Sequence, residues 1–418
     1  MNQYHRDILQ LNSENYDATI RKIKKDIENK NIFCDIISQI FCGINFRPNK
    51  IKLYVKLSFD LCCNCMSFKE YFVEMIMNEM NTSKQQFLFF VHLLMEMNVV
   101  SKELIVSKII EFYKQPVIFS CAMYAWFYQE CYELIEDDDF YEEMDLSINK
   151  STRKNGKSRQ HPMTPLSSRL YVEFDDSIQK LLDNNNGNIY EQLQNPIINA
   201  LMDDNVEDLM RFVVDYSMII KASILLPHNS LLFLPSLIQA AAFYGSLKCF
   251  NYILSKNPDL KYLDTRKKCL LDFAIMGGNY EIIEICMKKG FEVCEYSLNQ
   301  ATIYSYFDIF EWFLPMVSSV NWEKIFTTAC KSEALIIVKK ALEHNIPNEI
   351  VGTNLVDAAK EGKLEILKYL ISLSIIDVNY ELQDHNNSFT IAAQYNKFDI
   401  IKYLITIDMI DVNHNGIY

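Results

Sequence analysis

The chain lacks most of the features by which chemistry announces itself. Its 418 residues hold only 10 Gly and 10 Pro. None of the glycines falls into a phosphate-cradling G-x-x-x-x-G-K-[ST] or a G-x-G-x-x-G loop. The pair Gly277-Gly278 follows a helical pattern and reads as a turn. No G-x-S-x-G elbow is present. The seven histidines, at 5, 92, 161, 228, 344, 385 and 414, include no H-x-x-x-H pair. Cys62-Cys63-Asn64-Cys65 contains one C-x-x-C with no second pair, where a structural zinc site needs four ligands. The expectation is no metal and no cofactor. The acidic run at 136–143 lacks the glycine and spaced oxygen ligands of a calcium loop.

Long apolar runs are missing too. The uncharged stretch Gln115–Gln129 contains Pro116 and is shorter than the ~20 residues a membrane span needs. Met1–Asp17 is polar and lacks the apolar core of a secretion signal. Twelve scattered cysteines then read as reduced thiols of a cytoplasmic protein. The basic segment 153–159 leaves nuclear entry open, and Thr164-Pro165 is a candidate phosphorylation site.

What is present is half hydrophobic and 13% aromatic, the composition of a packed helical protein. Net charge is −13, unevenly spread. Residues 1–134 are neutral overall, 135–150 carry −6, 151–169 carry +5 and 170–418 carry −12. Blocks of one sign that cannot build a core mark 135–169 as a charged linker. An acidic segment beyond it repels phosphate backbones, which argues against nucleic acid as its partner.

Residues 4–134 read as consecutive amphipathic helices over roughly 16–30, 32–42, 50–64, 67–80, 83–97, 101–114 and 117–134. Ser67 with Glu70 suggests a capping box, and Ser101 a second cap. Pro116 marks a boundary and Asn184–Asn188 a loop.

The C-terminal half repeats itself. Residues 361–379 (EGKLEILKYLISLSIIDVN) and 395–413 (YNKFDIIKYLITIDMIDVN) are offset by 34 and agree at 10 of 19 positions. In each copy the apolar residues (Leu364, Leu367, Leu370, Ile371; Phe398, Ile401, Leu404, Ile405) recur at one face of a helix. A helix so short cannot bury that face alone, so the unit needs neighbours. Earlier copies open at Ala241, Ala274, Ala301 and Ala329, with a poor first copy at Ala200–Phe212. A turn slot follows each opening: Asp204, Gly245, Gly278, Ser305, Glu333, Gly362 and Asn396. Its spacings from Gly245 onward are 33, 27, 28, 29 and 34.

This pattern resembles the ankyrin repeat over roughly residues 190–418: two antiparallel helices, a tight turn at the slot, then a hairpin finger ending in Asp-Val-Asn. With its helical N-terminal region and its Arg47-Pro48-Asn49-Lys50-Ile51 segment, the chain looks like a large class of protist ankyrin proteins. The family's Thr-Pro-Leu-His tetrapeptide is absent; Leu270-Leu271-Asp272 and Ser388-Phe389-Thr390 stand in its place. Spacings of 27 to 29 leave too few residues for a full finger, so short loops are expected in the middle repeats. His414–Tyr418 reads as the opening of a further repeat.

The expected fold is all-α: a helical domain at 1–134, a linker at 135–169 and a solenoid of about seven degenerate repeats at 170–418. The resemblance implies a non-enzymatic protein-binding module whose groove is lined by the residue pair before each slot. Those residues are Phe243, Tyr244, Met276, Ile303, Tyr304, Lys331, Lys360, Glu361, Gln394 and Tyr395, together with Gly277 and Ser332. Two other readings stay open. Residues 1–134 could be the active part as an adaptor or oligomerising scaffold, or could hold an enzymatic site assembled from distant residues.

Overall fold

The computed structural model describes residues 4–9, 11–12, 15–80, 85–113, 127–135, 195–220, 234–383, 385–407 and 410–411. The expected linker beyond Ile135, Pro116 and the loop at 184–188 lie outside the described residues. The described chain is helical, with one isolated bridge between Ile219 and Ser236 and no named strand among the described residues. It divides into two compact units, residues 1–273 and 274–418.

Among the described residues the first unit opens with eight helices: α1 (His5–Leu9), α2 (Tyr16–Asp26), α3 (Phe33–Phe46), α4 (Ile51–Asn64), α5 (Met66–Glu79), α6 (Gln85–Glu96), α7 (Lys102–Tyr113) and α8 (Tyr128–Leu134). A one-turn 3-10 segment, Pro48–Lys50, joins α3 to α4, where proline fits because its missing N–H would have no helical acceptor. The core is aromatic: Phe68 meets Phe33 edge-on at 5.2 Å and stacks on Phe72 at 5.7 Å. Ser101 caps α7, accepting from the Leu104 N–H at 3.3 Å. Ser67 does not cap α5. That helix starts one residue earlier, with Cys65 in extended conformation as its cap, and Ser67 sits inside the first turn.

Seven helix pairs follow. In unit one these are α9 (Pro196–Met202) with α10 (Val206–Phe212), and α11 (Leu237–Tyr244) with α12 (Leu247–Leu254). The pair α13 (Leu270–Gly277) and α14 (Tyr280–Lys288) spans the unit boundary. Unit two continues with α15 (Glu295–Ile303) and α16 (Phe307–Phe313), α17 (Trp322–Lys331) and α18 (Leu335–Leu342), α19 (Asn348–Glu361) and α20 (Leu364–Ser372), α21 (Ser388–Gln394) and α22 (Phe398–Ile405).

Every pair turns on its slot. All seven slot residues hold positive φ, from +50° at Asp204 to +81° at Gly362, although four of them are not glycine. The residue after the slot donates its N–H to the carbonyl five positions back, the wide hydrogen bond that closes a helix over a left-handed residue. Six are seen: Asn205→Ala200, Ser246→Ala241, Tyr306→Ala301, Ala334→Ala329, Lys363→Ala358 and Lys397→Ala392, at 2.8–3.1 Å. The acceptor is alanine each time, and all six are buried. Alanine favours helix and lets neighbours approach closely.

The linkers follow the spacings. Residues 289–294, 317–321 and 343–347 are short connections, whereas 255–269 and 373–387 form longer fingers. Both fingers close on the same turn: Asp264 N–H to Lys268 O with Lys267 at φ +61°, and Leu382 N–H to Asn386 O with His385 at φ +57°. The recurring Asp-Val-Asn has a role here. The Asp377 carboxylate accepts from the Asn379 N–H, and the Asn379 side chain accepts from the Asp411 N–H of the next copy at 2.8 Å.

Candidate protein-binding face

The ends of the first helices are tied to the following repeat by side chains near the slot. In unit one, the Ser246 hydroxyl donates to the Leu201 carbonyl, and the Asp204 carboxylate accepts from the Lys248 and Cys249 N–H groups that open α12. In unit two, Tyr306 donates to Met276 O at 3.3 Å, Ser332 to Thr302 O at 2.9 Å, and Lys363 to Lys331 O. These bonds engage carbonyls of the last helical turn and N–H groups of the first, the positions where a helix runs out of partners of its own. Side-chain bonds also cross between first helices: Thr328 to Asn299 at 2.8 Å and Asn354 to Thr327 at 3.2 Å. Asn354 also lines a shallow notch with Lys331, Asp357, Glu361 and Lys363.

The residues before the slots fall into two groups. In unit one Phe243 and Tyr244 are buried, at 0% and 4% exposure. The whole of α11 is buried. The 255–269 finger covers it, with Gln239 donating to the Tyr262 and Lys268 carbonyls, and the Pro48–Lys50 turn lies against it. In unit two Met276, Gly277 and Ser332 are also buried. The Tyr306 ring occupies the space beside Gly278, where a Cβ would come within 2.4 Å of it. Ile303 and Tyr304 are half-buried, and Lys331, Lys360, Glu361, Gln394 and Tyr395 are exposed. Tyr304 lies nearly parallel to Tyr306, and the Lys360 ammonium sits 5.1 Å above the Tyr395 ring. A buried side chain offers a partner no surface, so the accessible members concentrate in unit two.

Tyrosines of the second helices are used differently. Lys339 lies over Tyr369 at 5.0 Å and Lys368 over Tyr403 at 5.7 Å, so each lysine braces the next pair. These contacts run between repeats and stabilise the stack.

Three ionisable groups on α6 and α8 of the N-terminal helices are shifted. Burial pushes His92 down to about 4, and burial raises Glu96 and Glu130. The His92 Nε2 stands 3.6 Å from the Glu96 carboxylate. Burial is the leading cause in all three, the ordinary result of polar groups inside a helix stack. Among the described residues no group of three or more His, Cys, Asp or Glu side chains is placed to hold a metal ion. Among them, too, no helix is long and apolar enough to cross a membrane.

Comparison with known proteins bears on the repeats. The family described as ankyrin repeats (3 copies) matches residues 326–416. No curated protein matches the chain. The crystallographic ankyrin repeat domain of human ASB11 is 15% identical, covering 50% of this chain and 97% of its own, with a TM-score of 0.35. The assignment rests on the family match and on the seven left-handed slots. The chain is an ankyrin-repeat protein, with the matched repeats at residues 326–416.

Proposed function

We propose that the first-helix face of unit two binds a protein partner through Tyr304, Lys331, Lys360, Glu361, Gln394 and Tyr395. Ankyrin repeats generally mediate protein–protein interaction. The observation that supports this placement is that Lys331, Lys360, Glu361, Gln394 and Tyr395 are exposed and Tyr304 half-exposed in a stack whose first helices are bonded to one another near their ends. A surface held in place in this way loses little conformational freedom on binding. Tyr395 combines a large exposed ring with a neighbouring cation, the kind of side chain on which binding energy concentrates. The protein acts by presentation and carries out no reaction in this reading, and its place is the cytoplasm.

The test uses a partner recovered by affinity capture on the full chain. Tyr304→Ala and Tyr395→Ala are each expected to weaken binding by ~1–3 kcal/mol with the fold retained. Tyr369→Ala and Tyr403→Ala, which remove the lysine-braced rings, are expected to lower stability instead. Equal effects of all four on binding, or effects seen only through unfolding, would refute the placement.

A further inference from the structure

We infer that the N-terminal helices serve as the N-terminal cap of the repeat stack, docked through the 47–52 turn onto its first two helix pairs. A stack of repeats leaves an apolar edge at its first member, and that edge needs a cover with a polar outer face. The first pair is the weakest candidate to stand uncovered, since α9 and α10 have seven residues each. Such helices do not hold together without tertiary packing.

Three contacts place the cover. Met202, at the end of α9, packs against the apolar core formed by the N-terminal helices. The Lys52 ammonium on α4 pairs with the Asp203 carboxylate, 151 residues away in sequence. The Pro48–Lys50 turn rests against α11, whose side chains are all buried. The residue that leads into the turn is buried. Arg47 is 1% exposed, and burial together with the Arg47 charge pushes the Lys50 amine down to about 8. One short turn thus touches the second helix pair while the helix that follows it pairs with the first. That is the arrangement of a cap, and it assigns the N-terminal helices a role within the repeat stack.

Hydrogen exchange on the full-length protein tests this through the ion pair and the apolar contact separately. Lys52→Asp sets two carboxylates against each other, and amides at 199–209 are expected to exchange about two- to fivefold faster, the range for an exposed pair. The double variant Lys52→Asp/Asp203→Lys restores the pair and should return those rates to the starting values. Met202→Glu places a charge in the apolar contact and should speed exchange across α9 and α11 about tenfold, with α17–α20 unchanged. If Met202→Glu does not fold, the charge-swap series decides alone. Unchanged rates in Lys52→Asp, or faster rates that the double variant does not reverse, would overturn the inference. The N-terminal helices would then be a module independent of the repeats.

Discussion

The turn slots permit a prediction whose sign changes from one repeat to the next. A left-handed residue with a Cβ costs roughly 1–2 kcal/mol, while glycine gives back about 0.5–1 kcal/mol through the entropy of the unfolded chain. Gly362 has φ +81°, and a Cβ there would meet only the Lys397 chain, its nearest atom 3.2 Å away and free to move. Gly362→Ala should therefore cost about 1 kcal/mol. Gly278 has φ +68°, and a Cβ there would come within 2.4 Å of the Tyr306 ring. That ring is 9% exposed, and its hydroxyl donates to Met276 O. Displacing it adds an overpacking cost of ~1–3 kcal/mol and strains the hydrogen bond, so Gly278→Ala should cost roughly 2–5 kcal/mol. Glu333 holds φ +54° with a full side chain, so Glu333→Gly should stabilise by up to about 1 kcal/mol. Urea unfolding followed by tryptophan fluorescence reads the series, since Trp312 and Trp322 both lie in unit two. Equal costs for Gly278→Ala and Gly362→Ala, or a loss of stability in Glu333→Gly, would show that the slots are not governed by left-handed strain and the Tyr306 contact.

Three further outcomes are expected. His92 titrates at about 4 when folded against ~6.5 unfolded, so the unfolded chain binds the extra proton and stability falls as pH drops from 6.5 to 4, by up to about 3 kcal/mol. The raised carboxyls of Glu96 and Glu130 oppose this loss, since the folded state holds their protons more tightly. His92→Leu should flatten the urea midpoint between pH 6.5 and 4.5, and an unchanged slope would rule His92 out as the source. Cys34, Cys63 and Cys294 are exposed, whereas burial pushes the Cys62, Cys131 and Cys330 thiols up to about 12. A colorimetric disulfide reagent at neutral pH should label the first three quickly and the second three only on unfolding; Cys62 reacting as fast as Cys63 would contradict the burial. In the last helix pair Ala393 is exposed, as are Phe398 at 68% and Ile405 at 59%, while the corresponding Ala359 and Cys330 are buried. Amides of α21 and α22 should exchange about tenfold faster than those of α17 and α18, and equal protection would count against an open face there.

The register of the repeats was legible because it is written locally. An alanine and a slot four residues later suffice to place the helix end, and a helical apolar pattern after the slot places the second helix. This held even where the slot was Asp, Ser, Glu or Asn, since the wide hydrogen bond back to the alanine stabilises the left-handed residue whatever its side chain. Loop lengths followed from slot spacing for the same reason. The burial of the pairs before the slots was not legible. The helix that carries Phe243 and Tyr244 is met by a turn almost 200 residues upstream, and the space beside Gly278 is filled by a tyrosine of the next repeat. Neither contact leaves a periodic signal. The Ser67 cap failed on a smaller scale: Cys65 takes the extended cap conformation, and a Ser three residues before a Glu does not by itself decide which residue leaves the helix.

Comparing the repeats with one another separates what builds the stack from what a partner could read. Four residues before each slot the chain has alanine in all seven copies, at 200, 241, 274, 301, 329, 358 and 392. Those alanines are buried, and six are seen to accept the bond that ends the helix. One and two residues before the slot no pair recurs in unit two: Met-Gly, Ile-Tyr, Lys-Ser, Lys-Glu and Gln-Tyr follow in turn. Packing imposes no common residue at these positions, because the carbonyls at the ends of the first helices are met from the following repeat by Tyr306, Ser332 and Lys363 in different ways. Freed from the stack, the pairs that include Lys331, Lys360, Glu361 and Tyr395 differ from repeat to repeat. A partner lying along the first helices would therefore meet a different pair of residues at each step, and a surface of that kind discriminates by sequence while its scaffold stays the same.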